Sequence, residues 1–159
     1  MYQQQLFGIP QEQTTSDDFY TPKWIFDALN ITFDIDVCSP PEGPLHTPCS
    51  HYYTMYDDGL AQPWYGIVWM NPPYSNPRPW IDRWLQHANG VALIPFSKSG
   101  WFVQLWERSD VALTYVHDFN AVGLNFVRHE GKAQIMYPVC AAAIGSTSIT
   151  ALHKIGKVR

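Results

Sequence analysis

Residues 69–74, Trp-Met-Asn-Pro-Pro-Tyr, place one polar side chain between an apolar run and two prolines. Pro72 restricts Asn71 to extended dihedral angles, and the two proline rings leave the turn little conformational entropy to lose. The side-chain oxygen of Asn71 and a neighbouring main-chain carbonyl can together accept two hydrogen bonds from one planar amino group. Tyr74 can stack on an extruded base. The motif predicts a rigid corner that binds an exocyclic amine; a proline-rich turn with a half-buried tyrosine is the alternative.

Charge is distributed unevenly along the chain. Residues 1–70 carry one base, Lys23, and nine acids, whereas residues 71–159 carry nine bases and five acids. Charges of −8 and +4 therefore make up the net charge of −4. Because Lys and Arg contacts to phosphate dominate nucleic-acid affinity, we expect any such contacts mostly in the second half. Chance surface composition remains the alternative, since the net sign is wrong for a dedicated nucleic-acid binder.

Length and composition indicate one domain. The chain has 159 residues, of which 46% are hydrophobic and only 15% are charged, so a packed core is expected. Residues 1–18 are rich in Gln, Thr and Asp and poor in aliphatic side chains. We therefore expect a flexible N-terminal arm followed by a single domain over residues 19–159.

Cysteine usage and hydropathy argue against secreted and membrane proteins. Three irregularly spaced cysteines do not suggest a disulfide scaffold, and the first residues have neither the basic end nor the apolar stretch of a signal peptide. The longest nearly apolar run, residues 139–145, is far shorter than the roughly 20 residues of a membrane helix. We expect a cytoplasmic protein without a membrane span.

Hydrophobic periodicity predicts strands that alternate with helices, as in an α/β protein with a largely parallel sheet. The predicted strands cover residues 32–38, 51–56, 67–70, 91–96, 111–116 and 137–144, and the predicted helices cover residues 23–29, 80–88 and 101–106. Thr21 is expected to cap the first helix, with Pro22 in its first turn. Asp36 and Asn71 come near the carboxyl ends of two strands, where ligands bind in such sheets.

Two segments are predicted to be irregular. Residues 39–50 contain four prolines and one glycine, which argues for a loop. Residues 120–134 form a polar stretch between the last two predicted strands. Only 28 residues, from Ser39 to Gly66, separate the first strand from the strand that leads into Asn71. Two full strand–helix repeats do not fit there, so the sheet must be reduced.

Four short blocks in this order resemble the phage-type DNA adenine N6-methyltransferases. They are Tyr20-Thr21-Pro22 with Phe26-Asp27-Ala28-Leu29, Asp36-Val37-Cys38, Asp57-Asp58-Gly59-Leu60 with Trp64, and Val68-Trp69 before Asn71-Pro72-Pro73-Tyr74. The resemblance spans roughly residues 20–145. It implies a reduced Rossmann-like fold dependent on S-adenosylmethionine, with a mostly parallel sheet flanked by helices, encoded by a phage or prophage and acting in a bacterial cytoplasm.

The resemblance also implies roles for individual residues. Asn71 and the Pro72 carbonyl would hold the adenine N6 while Tyr74 stacks on the flipped base, and the methyl group would transfer directly. The implied cofactor-binding residues are Thr21, Pro22, Asp36, Cys38, Asp57 and Asp58. Of these, Asp36 would lie near the methionine or ribose portion, and Asp57 or Asp58 near the ribose or adenine. Turn and capping chemistry is the alternative for each carboxylate.

The chain departs from the wider methyltransferase pattern in two ways. The glycine-rich turn after the first strand is absent, because that strand continues into Cys38-Ser39-Pro40-Pro41. A separate target-recognition domain is also missing, so recognition of double-stranded DNA would fall to loops, with residues 120–134 as the best candidate. Candidate contacts to phosphate or base edges are Arg78, Lys98, Arg128, His129 and Lys132, each with a solvated surface charge as the alternative.

Other functions remain to be weighed. The same hydrogen bonds to a planar amine would suit a methyltransferase that acts on RNA adenine or protein glutamine. A second alternative is a catalytically silent DNA-binding module that retains the pocket as a binding site. A zinc site is the rival chemistry, since thiolates and imidazoles suit zinc and four such side chains fall close together: Cys38, His46, Cys49 and His51. Their irregular spacing lacks a paired-cysteine motif, so we expect no metal. Oligomeric state, monomer or weak dimer, stays open.

Overall fold

A computed structural model describes residues 20–117, 124–127 and 134–159 of the chain. The predicted arm, residues 1–18, lies outside this part. The described elements are α1 (Lys23–Leu29), β1 (Phe33–Asp36), β2 (Cys49–Tyr52), β3 (Val68–Met70), α2 (Arg78–His87), β4 (Gly90–Pro95), α3 (Gly100–Glu107), β5 (Ala112–Val116), β6 (Leu124–Val127), β7 (Gln134–Tyr137), β8 (Val139–Ile144) and α4 (Ser146–Leu152). Within these ranges, no helix combines the length and the apolar character that a membrane span requires.

The main sheet has six strands in the order β2-β1-β3-β4-β8-β5. Strands β2, β1, β3 and β4 are parallel to their neighbours, whereas β8 is antiparallel to both β4 and β5. The α/β class is confirmed, but the expectation of a mostly parallel sheet is wrong, because the sheet is mixed. The chain leaves β5 through the β6–β7 hairpin and returns as β8 between β4 and β5, which reverses its direction.

Helices cover both faces of the sheet. Side chains of α1 and α4 pack with one face, and side chains of α2 and α3 pack with the other; we call these the α1 face and the α2 face. Trp69 of β3 is buried on the α1 face, where its ring meets that of Phe26 edge-on at 4.7 Å between centroids. Because side chains alternate along a strand, Asn71 continues the α1 face two residues later.

Individual residues define the ends of α1, α2 and β4. Helix α1 spans the predicted residues, but Pro22 occupies its N-cap and no side chain caps it, so the capping role expected for Thr21 is wrong. Helix α2 ends at His87 with Ala88 in the left-handed conformation, and Gly90 opens β4. Gly90 is needed there because a Cβ would collide with the carbonyl of Val68 on the adjacent strand.

Three elements differ from the sequence-based prediction. Helix α4 was not predicted, because its β-branched residues favour strands, and its Ala151 and Leu152 bury their side chains on the α1 face. The polar stretch 120–134 contains strand β6, which pairs with β7 as a hairpin. Strand β2 begins at Cys49 rather than at residue 51, as an edge strand paired with β1.

Replacement of Gly66 with alanine is expected to lower the free energy of unfolding by about 2–3 kcal/mol. Gly66 has φ +63°, and a Cβ there would collide with the Asp34 carboxylate. That carboxylate accepts a hydrogen bond from the Ile67 backbone N–H at 2.7 Å and so holds the start of β3. Chemical denaturation measures the change.

Gly100→Ala is the matched control, because a Cβ on Gly100 meets no atom within 4 Å at the start of α3. This variant should be neutral or more stable by up to about 1 kcal/mol, since alanine restricts the unfolded chain. Equal stability of the two variants would contradict the explanation.

Candidate active site

The carboxyl edge of the sheet contains a topological switch point. From β1 the chain moves to β2 on one side and then returns to β3 on the other side of β1. The ends of β1 and β3 are joined by a 3.0 Å hydrogen bond from the Val37 N–H to the Trp69 carbonyl. Ligands of open α/β sheets bind in the crevice outside the strand ends at such a point. Asp36 and Asn71 therefore end adjacent strands where a ligand is expected.

Asn71 is half-buried and held by a residue from the start of α1. Its Nδ2 donates a hydrogen bond to the Oγ1 of Thr21 at 3.1 Å. In the part of the chain that the structure describes, no donor reaches the Asn71 Oδ1 or the carbonyl of the buried Pro72. The next carbonyl, that of Pro73, accepts the Asn76 N–H at 3.2 Å and closes the turn. Two acceptors on consecutive residues therefore remain available in a rigid segment.

Tyr74 is fixed at both ends of its side chain. Its ring packs partly against the core of the α1 face, and its hydroxyl donates to the Leu93 carbonyl of β4 at 3.3 Å. The side chain stays half-exposed. An aromatic ring held in this way can present a face to a base without losing further rotamer freedom.

Asp36 is the most deeply buried carboxylate of the described residues, with 2% of its surface exposed. Its Oδ1 accepts the Cys38 N–H at 3.2 Å. Burial raises the pKa of Asp36 to about 7, although hydrogen bonds from the Cys38 backbone and the Thr47 side chain oppose the shift. Nearby Ser39 is 5% exposed, and its hydroxyl has no hydrogen-bond partner among the described residues. An uncommitted buried hydroxyl beside such an acid suits a polar ligand.

Comparison with known proteins decides the family. Residues 10–135 match the model of the DNA N-6-adenine-methyltransferase (Dam) family. The chain belongs to this family. One relative, the DNA N-6-adenine-methyltransferase of Haemophilus phage HP1 (strain HP1c1), is 35% identical over 77 residues, which are 45% of this chain and 43% of the relative. The match thus spans less than half the length of that relative. No solved structure matches the chain.

In this Dam-family protein, a hydrogen bond joins the start of α1 to the proline-rich loop after β1. The Tyr20 hydroxyl donates to the Glu42 Oε2 at 2.8 Å, and Tyr20 itself is buried. Burial and the Glu42 carboxylate raise the pKa of this tyrosine well above its usual value. Sequence reasoning assigned no role to either residue, or to Ser39. The only sequence feature that could have indicated this contact was Glu42, the one acid within the proline-rich loop.

The two carboxylates after β2 differ in their surroundings. The Oδ2 of Asp57 accepts hydrogen bonds from the Thr54 N–H at 2.7 Å and the Thr54 hydroxyl at 2.9 Å, so it closes its own turn. The backbone hydrogen bond from Thr54 is the main reason that the pKa of Asp57 is lowered. Asp58 is exposed, with φ +52°. The capping alternative therefore describes Asp57, whereas the Asp58 carboxylate faces solvent.

The acidic turn lies directly against the end of β1. Gly59 approaches the Val37 carbonyl so closely that a Cβ would collide with it. The indole N–H of the buried Trp64 donates to the Gly59 carbonyl at 2.8 Å and holds the turn in place. The family blocks around residues 36–38 and 57–60 thus meet at one edge of the sheet.

The predicted nucleic-acid contacts are only partly within the described residues. Arg78 opens α2 just behind the Asn71 turn, with 75% of its side chain exposed and a loose 3.9 Å ion pair to Asp82. Lys98 is exposed in the loop after the carboxyl end of β4. Arg128, His129 and Lys132 lie outside the described residues. The described residues contain no group of three or more His, Cys, Asp or Glu side chains that could hold a metal ion.

Proposed function

We propose that this protein transfers a methyl group from S-adenosylmethionine to the N6 amino group of a flipped-out adenine in DNA. The observation that carries the proposal is the pair of acceptors, the Asn71 Oδ1 and the Pro72 carbonyl, in a rigid turn at the switch point of the sheet. Membership of the DNA N-6-adenine-methyltransferase family agrees with that chemistry.

The parallel half of the sheet supports a reduced Rossmann-like fold. Strands β2, β1, β3 and β4 are parallel and carry the switch point between β1 and β3. Among the described elements, only β2 lies between β1 and β3, without a helix. The cofactor would therefore lie over the β1 and β2 ends and the base beside the β3 end, within one domain over residues 19–159.

The two acceptors act on the amine through hydrogen bonds. Each N6 hydrogen of adenine would donate to one of them, which directs the nitrogen lone pair away from the ring plane. The partial negative charges of both oxygens stabilise the positive charge that develops on N6 during transfer. Holding the amine in one orientation is worth several kcal/mol of the barrier. The proline rings contribute by keeping these oxygens fixed before substrate arrives.

The residues at the end of β1 fit a nucleoside-containing methyl donor. S-adenosylmethionine supplies a methyl group on a positively charged sulfur. The uncommitted hydroxyl of Ser39 and the carboxylate of Asp36 offer a donor and an acceptor to its polar groups. An acid about 20 residues after the first strand suits ribose hydroxyls, and Asp58, unlike Asp57, has its carboxylate in solvent. Cys38 and Pro22 would line the same crevice.

DNA is the proposed acceptor and partner. A base inside a duplex must leave the stack before an enzyme can reach N6, and Tyr74 offers a fixed ring for stacking on it. Arg78 and Lys98, both exposed around the site, would contact phosphate. Arg128, His129 and Lys132 would add to recognition. The relative from phage HP1 supports a phage or prophage origin and action in the bacterial cytoplasm.

A methyl-transfer assay with matched acceptors tests the proposal. Purified protein and labelled S-adenosylmethionine are incubated with an adenine-containing DNA duplex, the same duplex carrying N6-methyladenine, the RNA counterpart and a glutamine peptide. We expect label only in the unmodified DNA, as N6-methyladenine after nuclease digestion. Label in the RNA or in the peptide would show that the acceptor is not DNA adenine and would contradict the proposal. Failure to bind the cofactor in calorimetry would indicate a silent DNA-binding module.

A further inference from the structure

The hydrogen bond between Asn71 and Thr21 joins residues 50 positions apart. Its direction matters, because an amide has one side that donates and one that accepts. Nδ2 is committed to Thr21, and the Oδ1 of the same amide keeps its capacity to accept. We propose that Thr21 is a positioning residue that anchors the Asn71 amide through this bond, so that the Oδ1 acceptor stays available to the adenine amine. This inference rests on the proposed function.

The opposite orientation of the amide would be unproductive. Rotation of the Asn71 side chain by half a turn about its last bond would exchange Oδ1 and Nδ2. The Nδ2 hydrogens would then face the hydrogens of the adenine N6, and two donors cannot form a hydrogen bond. A hydroxyl can accept from Nδ2 or donate to Oδ1, so Thr21 can bind the amide in either orientation. In the opposite orientation Thr21 would occupy Oδ1, whereas in the observed orientation it occupies Nδ2 and leaves Oδ1 available to the substrate.

The backbone and side chain of Thr21 are held rigidly enough to position Asn71. Thr21 is buried, with 7% of its surface exposed. On one side of it, the Tyr20 hydroxyl is hydrogen-bonded to Glu42. On the other side, the ring of Pro22 fixes φ at −60°. The Pro22 carbonyl accepts the Ile25 N–H at 3.2 Å, which continues the segment into α1.

The amide and its partner also share one packed unit. Phe26 of α1 packs edge-on against Trp69, which precedes Asn71 by two residues on β3. The hydroxyl and the amide are therefore held by elements that contact each other directly. The family resemblance implied that Thr21 contacts the cofactor, but the observed partner of its oxygen is Asn71.

The two roles of Thr21 differ in what they change. A positioning role alters the rate of transfer in the fully bound complex, whereas a cofactor contact alters cofactor affinity. Thr21→Val keeps the shape and removes the hydroxyl, and Thr21→Ser keeps the hydroxyl and removes the methyl. The experiment measures single-turnover methylation of a DNA duplex at saturating cofactor, together with cofactor affinity by calorimetry and the melting temperature of each variant.

We expect Thr21→Val to lower the single-turnover rate by roughly 10- to 100-fold, since a small misplacement of a group at the reacting atom can cost up to about 10²-fold. Cofactor affinity should stay within about twofold, and Thr21→Ser should recover most of the rate because its oxygen can accept the same bond. An unchanged rate in Thr21→Val overturns the proposal. A loss of cofactor affinity that accounts for the slower rate also overturns it, as does a serine variant as slow as the valine variant.

Asn71→Ala separates this inference from the proposed function. If that variant is inactive while Thr21→Val is fully active, the positioning role fails and the proposed function stands. If Asn71→Ala methylates DNA at the wild-type rate, the acceptor pair is not the machinery and the proposed mechanism fails with it.

Discussion

Asn71→Ala is expected to lower the rate of adenine methylation by about 10²- to 10³-fold, the typical loss when one preorganised hydrogen-bonding group at a reacting atom is removed. Alanine removes the Oδ1 acceptor and leaves the Pro72 carbonyl as the remaining contact to N6. Single-turnover methylation of a DNA duplex measures the loss. Cofactor affinity should be nearly unchanged, because the variant keeps the end of β1 intact.

Asn76→Ala provides the matched control. Asn76 lies in the same turn and is exposed, and its backbone N–H donates to the Pro73 carbonyl, a contact that alanine keeps. This variant should therefore retain the wild-type rate within about twofold, as expected for surface substitutions. Equal losses in the two variants would show that the turn is merely fragile and that Asn71 has no specific role.

Asp36→Asn is expected to change stability and ligand binding in opposite directions. Burial raises the pKa of Asp36 from 3.8 to about 7 in the folded protein. The folded state therefore holds the proton more tightly than the unfolded chain, and its advantage is lost as pH rises towards 7. This group alone lowers the free energy of unfolding by about 4 kcal/mol between roughly pH 4 and pH 8. Asparagine does not titrate, so the variant lacks this loss.

Urea denaturation across this pH range measures the difference. Relative to Asp36→Asn, the wild type should become less stable as pH rises from about 4 to about 7 and then level off. Asp27→Asn is the control for the loss of one carboxylate, because Asp27 is an exposed partner of Lys23 and such surface pairs contribute little to stability. Parallel profiles for wild type and Asp36→Asn would contradict the expected burial effect.

The same substitution should weaken S-adenosylmethionine binding by about tenfold or more, the typical value of a hydrogen bond to a charged group. Calorimetry at pH 8, where the wild-type carboxylate is ionised, measures the affinity. Undiminished affinity would remove Asp36 from the proposed cofactor site.

Short-range features of this protein could be predicted from sequence. Residues 23–29 form the predicted helix, ended by Asn30 in the left-handed conformation, because periodicity and capping act over a few residues. The stiffness of the Asn71 turn follows from the covalent geometry of Pro72 and Pro73. The strand end just before Asn71 could be predicted because prolines are local signals, whereas β1 ends at Asp36, two residues before the predicted end.

Long-range features depended on how the sheet assembles. The insertion of β8 between β4 and β5 makes the sheet mixed, and no local pattern along residues 139–144 distinguishes a parallel from an antiparallel strand. Likewise, sequence could not show which of Asp57 and Asp58 closes the turn, because that depends on the contact with Thr54.

Local pattern therefore sufficed for the α/β class, for the rigid turn and for the chemistry of its residues. The partner of the Asn71 amide, the burial of Asp36 and the meeting of distant blocks at one sheet edge required the folded chain. The physical reason is that each of these properties belongs to a contact between residues far apart in sequence. Such contacts exist only after helices and strands have packed, and packing depends on the whole core rather than on any one segment.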